Sequence, residues 1–511
     1  MESHPCCSDH HGEGPTVYDL PGVPLELREQ WRRLETRRHF LGRMGKTLGW
    51  AGLAALMGDK LLAGMAGGAP SAAGVPSFPN FAPKAKRCIY LFMAGGPPQM
   101  DLWDYKPGLP ALYDRDLPDA VRGTQVLTGM TAGQARFPIA PPHWGFTTQG
   151  KCGRPVSNLL PFTGKIVDEL AVVHSLYTDA FNHEPAILLI NTGSMTPGKP
   201  SLGAWLSYGL GSMNENLPAF VVLNSKLTVG NQQPISPRLW GSGFLSSEHA
   251  GVPFRVQGSP VLYLNDPKGM TSATRRQLID GVNAINQITY DELGDPETHA
   301  RISEYEMAFR MQTSVPQLTD MSDEPASTWD LYGPDAKEPG TFAYNCLLAR
   351  RMAEQGVRFT QIYKRGWDVH ANVVTDLPVL CQETDRASYA LVTDLKRRGL
   401  LDDTLVMWGG EFGRTIYSQG GLSKTNYGRD HHPRCFTMWL AGGGAKPGIA
   451  YGTTDDYSYN ITSNPVHVRD FNATVLRLLG IDHDRLTFKF QGLDQKLTGP
   501  APAKVITDLL S

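Results

Sequence analysis

Six short apolar runs constrain this chain more than any other feature. They are Cys88–Met93, Leu170–Val173, Ala219–Leu223, Arg358–Tyr363, Thr404–Trp408 and Cys435–Ala441. Runs of four to seven residues without polar alternation suit strands covered on both faces. Helical patterns stand between them, at Ala343–Gln355, Thr375–Arg398 and His467–Leu479. Strands alternating with helices predict an α/β fold with a mostly parallel sheet between two helical layers. Between about 225 and 335 the pattern changes to turn-rich sequence and then to a charged helical stretch, Ser272–Met311, expected to be an insertion or cap.

Composition bears on partners. Apolar residues make up 41% and charged residues 19% of the chain, with a formal net charge of −2. That balance describes a globular protein and leaves no electrostatic footprint for nucleic acid. None of the seven cysteines forms a CxxC pair. Cys6 and Cys7, with His4, His10 and His11, read either as a metal-binding tail or as a chance run.

The segment Thr36-Arg37-Arg38-His39-Phe40-Leu41-Gly42, followed by an apolar stretch from Leu48 to Met65, looks like a twin-arginine export signal. Asp59-Lys60 interrupts that stretch, which argues against a transmembrane helix of about 20 nearly uncharged residues. The expected organisation is a leader at 1–75, a linker at 76–84, an α/β domain at 85–500 with its insertion, and a tail at 501–511. The expected location is the periplasm or cell envelope, reached through the twin-arginine export machinery.

In a parallel sheet, ligands bind beyond the carboxyl ends of the strands. Acids and histidines cluster at those ends in this chain. Asp368 and His370 stand two apart in WDVH, so in extended chain both side chains point one way. Together they can share a divalent cation, zinc or manganese before calcium or magnesium. A turn with a surface histidine is the plainer reading. Glu411, in GGEFGRT, can be a ligand or general base, or pair with Arg414. Arg414 can instead clamp an anionic substrate. In GRDHHP, Asp430 is expected to orient His431 as a carboxylate behind a metal-bound imidazole, with only one of His431 and His432 facing the site. Asp101 is a weaker metal candidate, because Lys106 allows an ion pair instead. His183 precedes the apolar run of NHEPAILLINTG, where a site mouth and a satisfied polar helix end are both readable.

The stretches RRHFL, GGPPQMDLWDYKP, NHEPAILLINTG, GVRFTQIYKRGWDVHAN, LLDDTLVMWGGEFGRT, GRDHHPRCFTMWLAGGGAKPG and FKFQGLDQKLT together resemble a family of exported bacterial proteins of unknown function. The resemblance spans nearly all of residues 36–500. That family is distantly similar to the sulfatases and alkaline phosphatases, which implies their three-layer sandwich. The onward comparison sets Glu411 at a metal-binding aspartate, favours His431 as a later ligand, and puts His183 where those enzymes carry a nucleophile. Two departures stand out: Ala94-Gly95-Gly96 replaces a metal-binding aspartate, and no serine or cysteine nucleophile is present. The resemblance therefore implies a metal-dependent hydrolase of sulfate or phosphate esters. Asp368, His370, Glu411 and His431 would hold one ion, His183 would act as ligand or general acid, and Arg414 would bind the small-molecule or glycan substrate. The alternative is a non-catalytic module that binds glycans or anions on the same fold.

Overall fold

The computed structural model describes residues 74–75, 77–255, 260–261, 266 and 269–511. The export segment and the Cys6-Cys7 run lie outside them. The described residues fall into two units: Ala273–Ala284, part of one long helix, and the remainder, which carries the sheet, the ribbon and the sites.

A nine-stranded sheet forms the frame. Its strands are β1 (Arg87–Met93), β2 (Leu170–Tyr177), β3 (Phe220–Asn224), β4 (Val252–Phe254), β5 (Phe359–Lys364), β6 (Thr404–Gly409), β9 (Phe436–Ala441), β10 (Ala450–Tyr451) and β11 (Val466–His467). In space they run β10-β2-β9-β6-β1-β5-β3-β4, with β11 also beside β2. Only β9 runs against the others. The remaining labels, β7 (Gly413–Gln419) and β8 (Gly428–His432), form a separate antiparallel ribbon.

The apolar runs lack alternation because each strand feeds two cores. Along β1, Ile89, Leu91 and Met93 pack into one, while Cys88, Tyr90 and Phe92 pack into the other. The same division holds along β6, with Val406 and Trp408 on one side and Leu405 and Met407 on the other. Helices α6 (Phe342–Glu354) and α7 (Val373–Arg397) cover the first face, through Leu347, Met352, Leu377 and Leu391. Helices α2 (His183–Thr192), α3 (Leu202–Leu210) and α8 (Val468–Leu478) cover the second, through Ile187, Trp205 and Phe471. This is a three-layer α/β sandwich with a mostly parallel sheet, as the alternating pattern predicts.

The charged stretch is two helices, α4 (Ser272–Leu293) and α5 (Pro296–Thr319). Gly294, with φ of 63°, and Asp295, which caps α5 by accepting from the Glu297 N–H, break what reads in sequence as one helix. A four-residue helix α1 (Gln99–Leu102) follows β1.

The ribbon fastens the strand ends together. Arg429, 0% exposed, donates to both carboxylate oxygens of Asp101 in α1, at 2.7 and 3.0 Å. Its partner strand sends Arg414 to the carbonyls of Gly95 and Gly96 at the exit of β1. Charged side chains can be buried here because each is paired. Among the described residues, no helix is long and apolar enough to cross a membrane.

Candidate metal centre

Three segments deliver four side chains to one point: Asp368 and His370 from the loop after β5, His431 from β8, and His183 from the first residue of α2. One ligand-type atom from each lies within 4.8 Å of all the others. Asp368 and His370, two apart, point to the same centre, their Oδ1 and Nε2 atoms 2.7 Å apart. In the ribbon, His431 pairs across from Arg414, next to a register shift between Arg429 and His431. Such irregularities re-aim side chains, and cross-strand partners share a face. Arg414 and His431 accordingly reach the same carboxylate.

Gly95, with φ of +120°, belongs to the site as well. A Cβ there would stand 2.3 Å from the backbone nitrogen of Asp368, so the exit of β1 can press against the Asp368 segment only as glycine.

The hydrogen bonds around the rings decide their chemistry. His183 Nδ1 lies 2.6 Å from Glu411 Oε1, His370 Nδ1 2.6 Å from Gln419 Oε1, and His431 Nδ1 2.7 Å from the Phe181 carbonyl. Each partner atom is an acceptor, so each neutral ring keeps its proton on Nδ1 and turns the Nε2 lone pair inward. The three Nε2 atoms stand 2.7, 2.9 and 3.4 Å from Asp368 Oδ1. His183 Nε2, though 2.9 Å away, makes no aligned hydrogen bond and is buried. Three lone pairs facing a carboxylate oxygen lack a donor among themselves. A divalent cation satisfies them all, and three imidazoles with one carboxylate suit zinc or manganese better than calcium, which takes oxygen ligands. The donor set therefore fits a metal ion.

The protonation energetics bear on the same atoms, because an imidazole that donates to Asp368 carries the Nε2 proton that a cation would displace. Burial alone would raise the Asp368 pKa, but the three imidazoles and Arg414 hold it well below the usual carboxylate range. Burial pulls His431 down to about 4. Burial also lowers His183, but its bonds to Asp368 and Glu411 outweigh that and leave it raised. Phe412 closes one side, its ring centroid 4.9 Å from that of His183 and 4.7 Å from that of His431.

The structure redraws several expected roles. Glu411 is not among the converging atoms: it is fully buried, with its carboxylate on the Gly95 N–H at 2.9 Å and on the far nitrogen of His183. It stands behind His183, and His183, not Glu411, is the fourth side chain of the cluster. Arg414 is 1% exposed, and its Nε, Nη1 and Nη2 all donate to protein oxygens, one of them Asp368 Oδ1 at 2.6 Å. Buried and turned inward, Arg414 holds Asp368 rather than facing a substrate anion. Asp101 is spent on Arg429, and Lys106 pairs with Asp104 at 3.2 Å. Asp430 does not reach the His431 ring. It accepts the His431 backbone N–H and the hydroxyls of Thr128 and Thr131, and so fixes the strand rather than the imidazole. His432 faces away, toward Gln125 and the Tyr459 carbonyl. Gln419 and the Phe181 carbonyl were not foreseen. An amide at a strand end and a backbone carbonyl carry no sequence signal.

Similarity to known proteins can be set beside this geometry. One family model matches residues 85–510. The chain belongs to DUF1501, a family described as of unknown function. No curated protein matches this DUF1501 member. Among solved structures it is similar to the PsFucS1 sulfatase from Pseudoalteromonas sp., at 14% identity and a TM-score of 0.31, covering 89% of this chain and 76% of that one. It is also similar to a mutant of TAB5 alkaline phosphatase, at 10% identity and a TM-score of 0.30, covering 78% and 98%. A third is the lipoteichoic acid synthase LtaP from Listeria monocytogenes, at 10% and 0.32, covering 86% and 80%. Overlaps this loose bear on neither activity nor site, which rest on the residues themselves.

Proposed function

We propose that this DUF1501 protein holds one divalent metal ion through His183, Asp368, His370 and His431, and that it is an exported hydrolase of sulfate or phosphate esters. One observation carries the metal reading: all three imidazoles have their Nδ1 atoms tied to oxygens and their Nε2 atoms turned to Asp368. An ion so held polarises an ester oxygen and acidifies water. The protein's own part is orientation. Glu411, Gln419 and the Phe181 carbonyl fix the rings, Arg414 fixes Asp368, and Phe412 excludes water from one side. The export reading rests on the Arg37-Arg38 leader, and zinc or manganese is the expected ion.

Metal analysis of the natively produced protein, with a panel of sulfate and phosphate esters, tests this. One bound ion per chain and ester cleavage, both lost in His370→Ala and His431→Ala, is the expected result. Full metal content in both variants would overturn the site.

A second reading, a binding module for glycans or anions, is favoured by two points: His183 stands where the resemblance implies a nucleophile, and Arg414 is buried against Asp368. Such a module would bind the ion and stay silent toward every ester, while ligands raise its melting temperature.

A further inference from the structure

The insertion contains a cavity that the metal centre does not use. It has a volume of about 340 Å³ and lies between the end strand β4 and helix α5. Its apolar lining includes Ala219, Val252, Met307 and Met311, of which Val252, Met307 and Met311 belong to the larger hydrophobic core. This size is within the range of small-molecule sites.

Its charge is unusual for an apolar chamber. Among the described residues, Glu215, Glu248 and Glu304 line it against one cation, Arg310. Glu248 is partly buried; the Ser246 hydroxyl, His299 and His249, whose Nε2 lies 4.0 Å away, stand near it, as do the acids Glu297 and Glu304. His249 brings no charge at neutral pH, since burial lowers it to about 4, and its Nδ1 is bonded to the Ser207 hydroxyl at 3.0 Å. Burial raises the Glu248 pKa; His299 opposes that in part, and Glu304 and Glu297 add repulsion. A partly buried carboxylate at the wall of an apolar cavity, with like charges near it, is costly unless a cation meets it. The ligand that relieves this cost carries a positive charge on an apolar body.

We propose that this cavity binds a small primary amine, its ammonium group on Glu248 and Glu304 and its apolar body against Met307 and Met311. The amine should enter charged, since the carboxylates supply what the hydrocarbon lining cannot. This site is independent of the metal centre.

Calorimetric titration of the full chain with phenethylamine, phenethyl alcohol and hydrocinnamate separates charge from shape. The expected result is saturable binding of phenethylamine, about tenfold or more tighter than either of the others, and weaker at high ionic strength. Glu248→Gln should erase that preference. Glu304→Gln, at an exposed helix position where the fold is not at risk, should reduce it severalfold. Equal binding of the alcohol and the amine, no saturable amine binding, or a preference that survives both substitutions would overturn the proposal.

Discussion

Replacing Glu411 by glutamine tests the centre without removing an atom that would touch the ion. The carboxylate is fully buried, accepts the His183 Nδ1–H at 2.6 Å and takes the Gly95 N–H at 2.9 and 3.2 Å. Charged hydrogen bonds of this kind contribute ~1.5–3 kcal/mol, against ~0.5–1.5 for neutral ones. The neutral amide therefore loses about 1–1.5 kcal/mol of the interaction that keeps the His183 lone pair on the centre, or about tenfold in metal affinity. In the amide, the NH2 that replaces Oε2 also faces the Gly95 N–H, now 3.2 Å from that oxygen, donor to donor, which pushes the loss higher. Partners of metal-bound histidines in general contribute about 10–100-fold. The assay is competitive zinc titration of the metal-free protein against a chelating dye, with circular dichroism to confirm the fold. Glu184→Gln is the control, because Glu184 is exposed and pairs with Arg238 at 3.0 Å. A Glu411→Gln affinity within about twofold of wild type, with the fold intact, would refute the idea that Glu411 aims His183.

Asp101→Ala leaves the Arg429 guanidinium buried without its carboxylate, so denaturant unfolding should show a loss of about 3–5 kcal/mol; a loss under about 1 kcal/mol would mean that the pair is solvated. His249 bears on pH. Its pKa falls from 6.5 unfolded to about 4 folded through burial, so the unfolded chain binds more protons between those values. The stability it supports is complete above pH 6.5 and is lost as pH falls toward 4, reaching about 2 kcal/mol by pH 5. In metal-free protein, His249→Gln should flatten the fall in stability between neutral pH and pH 5, and an unchanged slope would sink this assignment.

The sheet was legible because double-sided burial writes itself as continuous apolar sequence, and each of the six runs became a strand. The ribbon was not. In GRTIYSQ and GRDHH, the arginines, aspartate and histidines read as exposed, and only partners far away in sequence, Asp101 for Arg429 and Thr128 for Asp430, make their burial possible. The site shows the same division. The spacing of Asp368 and His370 fixed their common direction. Glu411 sits in the bend before β7 and Arg414 near the start of that strand, where sequence shows that a side chain is near the centre but not which way it faces. Glu411 turned behind His183, and Arg414 turned inward to Asp368.

The wide separation of the converging residues along the chain would make foldedness a condition of the proposed metal capture. Only Asp368 and His370 are close enough in sequence to meet in an unfolded segment, while His183 and His431 arrive on α2 and β8. An unfolded chain thus offers half a site and binds weakly, so nearly all of the ion's binding free energy is expressed as resistance to unfolding. Metal content would then serve as a quality mark: a molecule that carries the ion has already assembled its sheet, its ribbon and its first covering helix.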